Sequence, residues 1–302
     1  MDPIKHHISV FPPRLRKVLE RYPHPENICE IRLRDGSPLS LTDHRENITL
    51  DEGGRPCPLS RAVRCRSEEL SYVLGAFCKG SVYRYFDRLK DGFAVDDYGW
   101  RMGVSTAITE RGIFLPKRIL GINLRIPRHT PFAAKPLAEK IQREGLFSFL
   151  IFSPPGEGKT TVLRSLAALL SQGEKNTPPI RVAVIDERGE LFPPQMKIKT
   201  GLLDVLPDCE KGEGIAIATR LFSPQVICCD EIGTPREAEA VLASCSGGCY
   251  VIATAHASCL EEARHTPYLA SLISSGKFRH GVFLKKECGD DFRLSFHWES
   301  FL

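Results

Sequence analysis

The sequence predicts an α/β protein, a parallel sheet with helices on both faces, preceded by a smaller α+β domain. Three observations predict it. From residue 146 onward apolar runs alternate with helical segments, the pattern of successive βαβ units. A Pro-rich connector, Ile126-Pro-Arg-His-Thr-Pro-Phe132, divides the 302 residues into two stretches of different texture, 1–128 and 129–302. A glycine loop formed by Ser153, Pro154, Pro155, Gly156, Glu157, Gly158, Lys159, Thr160 and Thr161 then closes one apolar run and opens a helix.

In the first stretch, helical spacing of apolar residues predicts helices over 14–22 and 67–77. Strands are expected over 28–33, 92–95 and 101–107, joined by Gly/Asp turns. The loops 45–58 and 96–99 carry turn residues and no catalytic cluster. Beyond the connector, a helix over 133–144 ends at Gly145. Strands follow over 146–152, 181–185, 225–229 and 250–254, with helices over 160–171, 211–221 and 236–245. In such a sheet ligands bind at the C-terminal ends of the strands.

The glycine loop is the chemical centre of this reading. Gly156 and Gly158 let backbone N–H groups turn inward around a phosphate, and the helix N-terminus adds partial positive charge. In the pattern G-x-x-x-x-G-K-[ST], Lys159 reaches the β/γ-phosphates and the Thr160 hydroxyl is a ligand of Mg²⁺. Ser153 stands at the first position in place of glycine. Two strands end in acidic pairs, Asp186-Glu187 and Asp230-Glu231. A metal on a triphosphate needs one carboxylate beside the phosphate loop, and hydrolysis needs another to orient water. Asp230 is assigned to the magnesium and Glu231 to the water, on the ground that Ser223-Pro224 and a purely apolar strand set this pair deepest in the sheet. Asp186 and Glu187 then form an auxiliary acidic site, followed by Arg188 and Glu190. Thr254 and His256 place a hydroxyl and an imidazole at the next strand end, where they can sense a γ-phosphate. Arg220 is a candidate source of positive charge for its own or a neighbouring subunit.

Composition narrows the rest. A net charge of +4, spread among interspersed charges, does not indicate a nucleic-acid partner. Eleven cysteines without C-x-x-C pairs, several in apolar strands, predict reduced thiols used as small hydrophobes in a cytosol. Cys245, Cys249 and His256 are the nearest approach to a zinc set, and no structural metal is expected. No window reaches the roughly 20 apolar residues of a membrane span.

The motifs also occur in a recognisable order. Glu30-Ile-Arg-Leu-Arg34, Gly80-Ser-Val-Tyr83, Gly99-Trp-Arg101-Met-Gly103 and Ile122-Asn-Leu-Arg125 precede the phosphate loop. Ile185-Asp-Glu-Arg-Gly-Glu190, Ser223-Pro-Gln-Val-Ile-Cys-Cys-Asp-Glu-Ile-Gly233 and Thr254-Ala-His256 follow it. In these blocks, over nearly its whole length, the chain resembles the stage III sporulation protein AA family of endospore-forming bacteria, relatives of the type II/type IV secretion ATPases. Three departures stand out: Ser153 for glycine, Tyr98-Gly99-Trp100 for a Gly-Gly-His-like turn, and Arg188-Gly-Glu190 for Arg-Ser-Glu. The resemblance implies a P-loop NTPase core, RecA/AAA-like with an additional strand and a catalytic glutamate. It matches Asp186, Glu187 and Arg188 to an acidic box, Asp230 and Glu231 to the magnesium and water-activating pair, and His256 to a histidine box. It also implies an ATPase using ATP and Mg²⁺ in the mother-cell cytoplasm, a ring homohexamer at the base of a membrane-embedded sporulation channel. Three functions fit the residues: a motor driving such an apparatus, a nucleic-acid translocase or helicase, and a non-hydrolysing ATP-bound ring scaffold. The modest charge disfavours the second, although Tyr83-Arg-Tyr85 and Arg61-Ala-Val-Arg64 cluster suitable side chains.

Overall fold

The computed structural model describes residues 4, 7–43, 46–81, 85, 89, 92–106, 118–127, 130–173, 177–196, 198–287 and 294–301. Tyr83, Arg84, Ala107 and His129 lie outside them. The chain forms two compact units, Met1–Arg128 and His129–Leu302.

The first unit is an antiparallel sheet with helices. Its strands are β1 (Ile28–Arg34), β2 (Ser40–Asp43), β3 (Glu46–Thr49), β4 (Phe93–Val95), β5 (Arg101–Thr106) and β6 (Ile119–Arg125), in the order β3-β2-β1-β6-β5-β4. Helices α1 (Pro13–Glu20) and α2 (Ser67–Phe77) supply Leu15, Leu19, Leu70 and Val73 to a core shared with Ile31, Leu33 and Leu124. Three of these strands were not expected. The segments 40–43 and 46–49, which form β2 and β3, are mostly polar, and β6 spends one face on Gly121, Asn123 and Arg125. Such half-solvated strands lack the continuous apolar run that marks a buried one.

The second unit begins with α3 (Lys135–Glu144). A seven-stranded sheet follows: β7 (Ser148–Phe152), β8 (Val182–Asp186), β9 (Leu203–Pro207), β10 (Val226–Cys229), β11 (Tyr250–Ala255), β12 (Phe278–Lys286) and β13 (Leu294–Ser300). The order is β13-β12-β7-β11-β10-β8-β9. All pairs are parallel except β12 with β13, so the expected parallel sheet carries one antiparallel edge strand. Helices α4 (Lys159–Gln172), α5 (Lys211–Phe222), α6 (Pro235–Ser246), α7 (Leu260–His265) and α8 (Pro267–Ser274) complete the unit. Every residue of β7, β8 and β10 is buried, because two separate apolar clusters pack against the two faces. That is why these strands read as unbroken apolar runs. β11 lies between β7 and β10, so the phosphate-loop strand and the strand ending in Asp230 are separated by one extra strand. No helix among the described residues is long and apolar enough to cross a membrane.

Candidate active site

The loop between β7 and α4 has the backbone its glycines allow. Gly156 and Gly158 have φ of +82° and +98°, a region costly for any residue with a Cβ, and Gly158 is the N-cap of α4. Pro154, Pro155 and Gly156 are exposed, Glu157, Gly158, Thr160 and Thr161 are half-buried, and Lys159 is only 7% exposed. Ser153 is enclosed, its hydroxyl donating to the Pro154 carbonyl at 2.8 Å. Glu157 ties the loop to β12 by accepting the Lys286 N–H at 2.9 Å.

Among the described residues the Lys159 ammonium meets only uncharged acceptors. It donates to the Ser153 carbonyl at 2.7 Å and to the Pro154 carbonyl at 3.3 Å, and lies 2.9 Å from His256 Nδ1. Burial pulls its pKa below the usual lysine value, against the more distant pull of Asp230, Glu231 and Glu157. A buried cation without a contacting counter-ion fits an anionic ligand, and a phosphate on this loop would supply the missing charge. Because a lysine ammonium has no lone pair, His256 Nδ1 must be the acceptor and Nε2 carries the proton. That Nε2 points at Glu231 Oε1, 3.5 Å away.

On the far side of β11, Asp230 collects two hydroxyls. Thr160 Oγ1 donates to Asp230 Oδ2 at 2.7 Å, and Thr254 Oγ1 donates to Oδ1. The same Thr254 oxygen accepts the Glu231 N–H at 2.7 Å, which helps hold Glu231 in a left-handed backbone with φ +53°. A hydroxyl and a carboxylate brought together in this way are the hard oxygen donors that Mg²⁺ takes, the rest of its shell being water and phosphate oxygen. The Glu231 carboxylate receives Arg188 Nη1 at 2.5 Å on Oε2. Lys159, Thr160, Asp230, Glu231, Arg188 and His256, which come from four separate segments of sequence, thus form one linked cluster.

With this geometry in view, comparison with known proteins is informative. The sequence profile described as "Sporulation stage III, protein AA" matches residues 4–292. The chain belongs to that family. Stage III sporulation protein AA of Bacillus subtilis (strain 168) is 30% identical over 290 residues, 93% of this chain and 91% of that protein. Two solved structures are similar in fold. The Legionella pneumophila ATPase DotB gives a TM-score of 0.61 at 17% identity, covering 91% of this chain and 77% of that one. The pilus retraction motor PilT with bound ADP gives 0.62 at 16%, covering 95% and 81%. The α/β fold of these proteins is therefore the fold of this member of the sporulation stage III protein AA family.

Several expectations about this family member change on contact with the structure. Asp186, not Asp230, is the deeper carboxylate, at 3% exposure against a half-buried Asp230. The case for Asp230 as the metal residue therefore rests on its bond to Thr160. Asp186 is occupied instead with backbone: its oxygens accept the N–H groups of Glu190, Leu191 and Phe192 at 2.9–3.1 Å. Burial nevertheless raises its pKa, against the lowering effect of those bonds and of Arg164. Glu187 turns to Lys211, which donates to its Oε2 at 2.7 Å. Arg220 is exposed near the C-terminal end of α5, about two and a half turns from Lys211 at the site end. Among the described residues it is not in the lining of the cleft formed by Glu187, Arg188, Lys211, Asp230 and Glu231. Cys249 and His256 stand just outside opposite ends of β11, while Cys245 lies beside Ser148 at the start of β7, so the three do not converge.

Sequence reasoning missed Lys211, Glu237 and Arg164. Arg164, 3% exposed, holds the Glu190 and Leu191 carbonyls at 2.5 Å each. Nothing in a helical run of small and apolar residues announces that role. Glu237 was legible in principle, because Thr234-Pro-Arg-Glu237 is a capping box, and its two reciprocal bonds are present.

Proposed function

We propose that this chain hydrolyses Mg-ATP and that, as a homo-oligomer, it drives an apparatus at a membrane. The observation that carries the reading is the 2.7 Å bond from Thr160 to Asp230 beside the enclosed Lys159. It joins a phosphate-type loop to a strand-end carboxylate across β11. Bound magnesium would be held by Thr160 and Asp230 and would neutralise charge developing on the β/γ oxygens. Gly156, Gly158 and the first turn of α4 would offer backbone N–H groups to the phosphates, and Lys159 would leave its uncharged acceptors for them. Glu231 orients the attacking water. Its Oε2 is engaged by Arg188, whereas Oε1, at 3.5 Å from His256, keeps acceptor capacity for a water proton. His256 bridges Glu231 and Lys159, so displacement of Lys159 by a phosphate reaches Glu231 through one imidazole.

In our reading, which membership of the sporulation family supports, this engine works on the mother-cell cytoplasmic side of a membrane-embedded channel complex, as a homohexameric ring. Glu187 and Arg188 belong to its auxiliary acidic loop, and Arg220 is available to a neighbouring copy. The test is phosphate release from Mg-ATP by the full chain. Turnover is expected in the wild type and not in Glu231→Gln, which retains nucleotide binding. A Glu231→Gln protein that turns over at the normal rate would move the base to Glu187. A wild type that binds and never releases phosphate would leave a scaffold.

A further inference from the structure

Lys211, the first residue of α5, is 5% exposed, yet its chemistry is not used by the mechanism above. Its ammonium donates to Glu187 Oε2 at 2.7 Å and to Glu237 Oε1 at 2.6 Å. Burial works against its charge, but hydrogen bonds to the two carboxylates outweigh burial and raise its pKa above the ordinary lysine value. It is a cation locked between two anions.

Each anion belongs to a segment that carries the reacting groups. Glu187 is followed by Arg188, which donates to Glu231 Oε2 at 2.5 Å. Glu237 faces the other way as well: its Oε2 accepts the N–H groups of Gly233 and Thr234 at 2.8 and 2.9 Å. Those amides form the turn that leaves Glu231. That turn begins with a non-glycine residue at φ +53°, a conformation that persists only when its surroundings over-determine it. Thr254 fixes its near end by accepting the Glu231 and Ile232 N–H groups, each at 2.7 Å. Glu237 fixes its far end, and Lys211 fixes Glu237. The loop after β8 and the turn after β10 are thus joined by one buried ammonium, and Glu187, Lys211, Arg188 and Glu231 line the same small cleft.

We infer that Lys211 is a positioning residue: by bridging Glu187 and Glu237 it holds the Glu231 turn and the Arg188 loop in mutual register, and so sets where the Glu231 carboxylate stands. The kinetic part of this inference rests on the ATPase reading. Loss of a lysine that merely stabilised the fold would lower the melting temperature and leave both turn mobility and kcat alone.

The test uses the full chain and Lys211→Met combined with Glu237→Gln, which leaves the net charge of the trio unchanged and the unpaired Glu187 in partial contact with solvent. Lys211→Arg serves as the conservative rescue and Glu237→Gln alone as the milder break. Hydrogen exchange by mass spectrometry follows peptides spanning 231–237, and steady-state kinetics follow Mg-ATP. In the double variant, exchange at 231–237 is expected to rise by about tenfold or more. Its kcat is expected to fall by about tenfold with KM within about threefold, and Lys211→Arg to recover most of the loss. Glu237→Gln moves both readouts in the same direction by less. Unchanged exchange at 231–237 overturns the inference, as does raised exchange with kcat intact. If the wild type itself releases no phosphate, the ATPase reading fails, and the exchange comparison alone decides the positioning claim.

Discussion

Replacing Asp186 by alanine separates a structural carboxylate from a catalytic one. The two Asp186 oxygens satisfy three consecutive backbone donors, Glu190, Leu191 and Phe192, through four contacts of 2.9–3.1 Å. Leu191 is fully buried, whereas Glu190 and Phe192 are half-buried. Hydrogen bonds to a charged acceptor contribute about 1.5–3 kcal/mol each, and an orphaned buried donor costs about 1–3 kcal/mol. Water can reach the two half-buried amides, so the lower ends apply to them. Against this stands the relief of no longer burying a carboxylate whose pKa burial has already raised. Asp186→Ala should therefore destabilise the second unit by roughly 3–5 kcal/mol, and Asp186→Asn, which keeps one oxygen, by roughly half that. The two tryptophans, Trp100 and Trp298, fall in different units. Trp298 fluorescence in a Trp100→Phe background thus follows guanidinium unfolding of the second unit. A change below about 1 kcal/mol would refute the reasoning and return Asp186 to the list of free acidic groups.

Lys159→Met should abolish measurable Mg-ATP binding while leaving nucleotide-free stability equal or higher, because among the described residues the buried ammonium has only uncharged contacts, and its pKa is lowered. The folded state binds fewer protons at Lys159 than the unfolded one just below the ordinary lysine value of 10.5, so wild-type stability gains from this group as pH rises towards that value. Thermal melts across the alkaline range should show that gain in the wild type and lack it in Lys159→Met. For Glu237 the sign is opposite: Lys211 and the Gly233 and Thr234 bonds outweigh its burial and hold its pKa below 4.5. Its stabilisation is present above that value and is lost as pH falls through the folded pKa, so the melting difference between wild type and Glu237→Gln should narrow in acid.

The phosphate loop was legible because glycine, lysine and threonine at fixed spacing have few other uses between a strand and a helix. The fully buried strands were legible for a similar reason, since β7, β8 and β10 need apolar residues on both faces. The half-solvated strands β2, β3 and β6 were not, because polar residues on one face break the run. The assignment of Asp230 over Asp186 followed depth, and depth points the other way. What distinguishes them is a threonine 70 positions earlier in sequence, a contact visible only once β11 is seen to lie between β7 and β10. Lys211 was unreadable for the same reason, since its partners lie 24 and 26 positions away on different elements.

The central claim is that Lys159, Thr160 and Asp230 form a single metal–triphosphate site. Calorimetric titration of ATP into the full chain, with magnesium and then with a chelator, tests it most directly. The account predicts saturable heat with Mg-ATP, weaker binding once the metal is removed, and loss of that metal dependence in Asp230→Asn. Silence from the wild type on addition of Mg-ATP, or an Asp230→Asn protein with undiminished metal dependence, would contradict it.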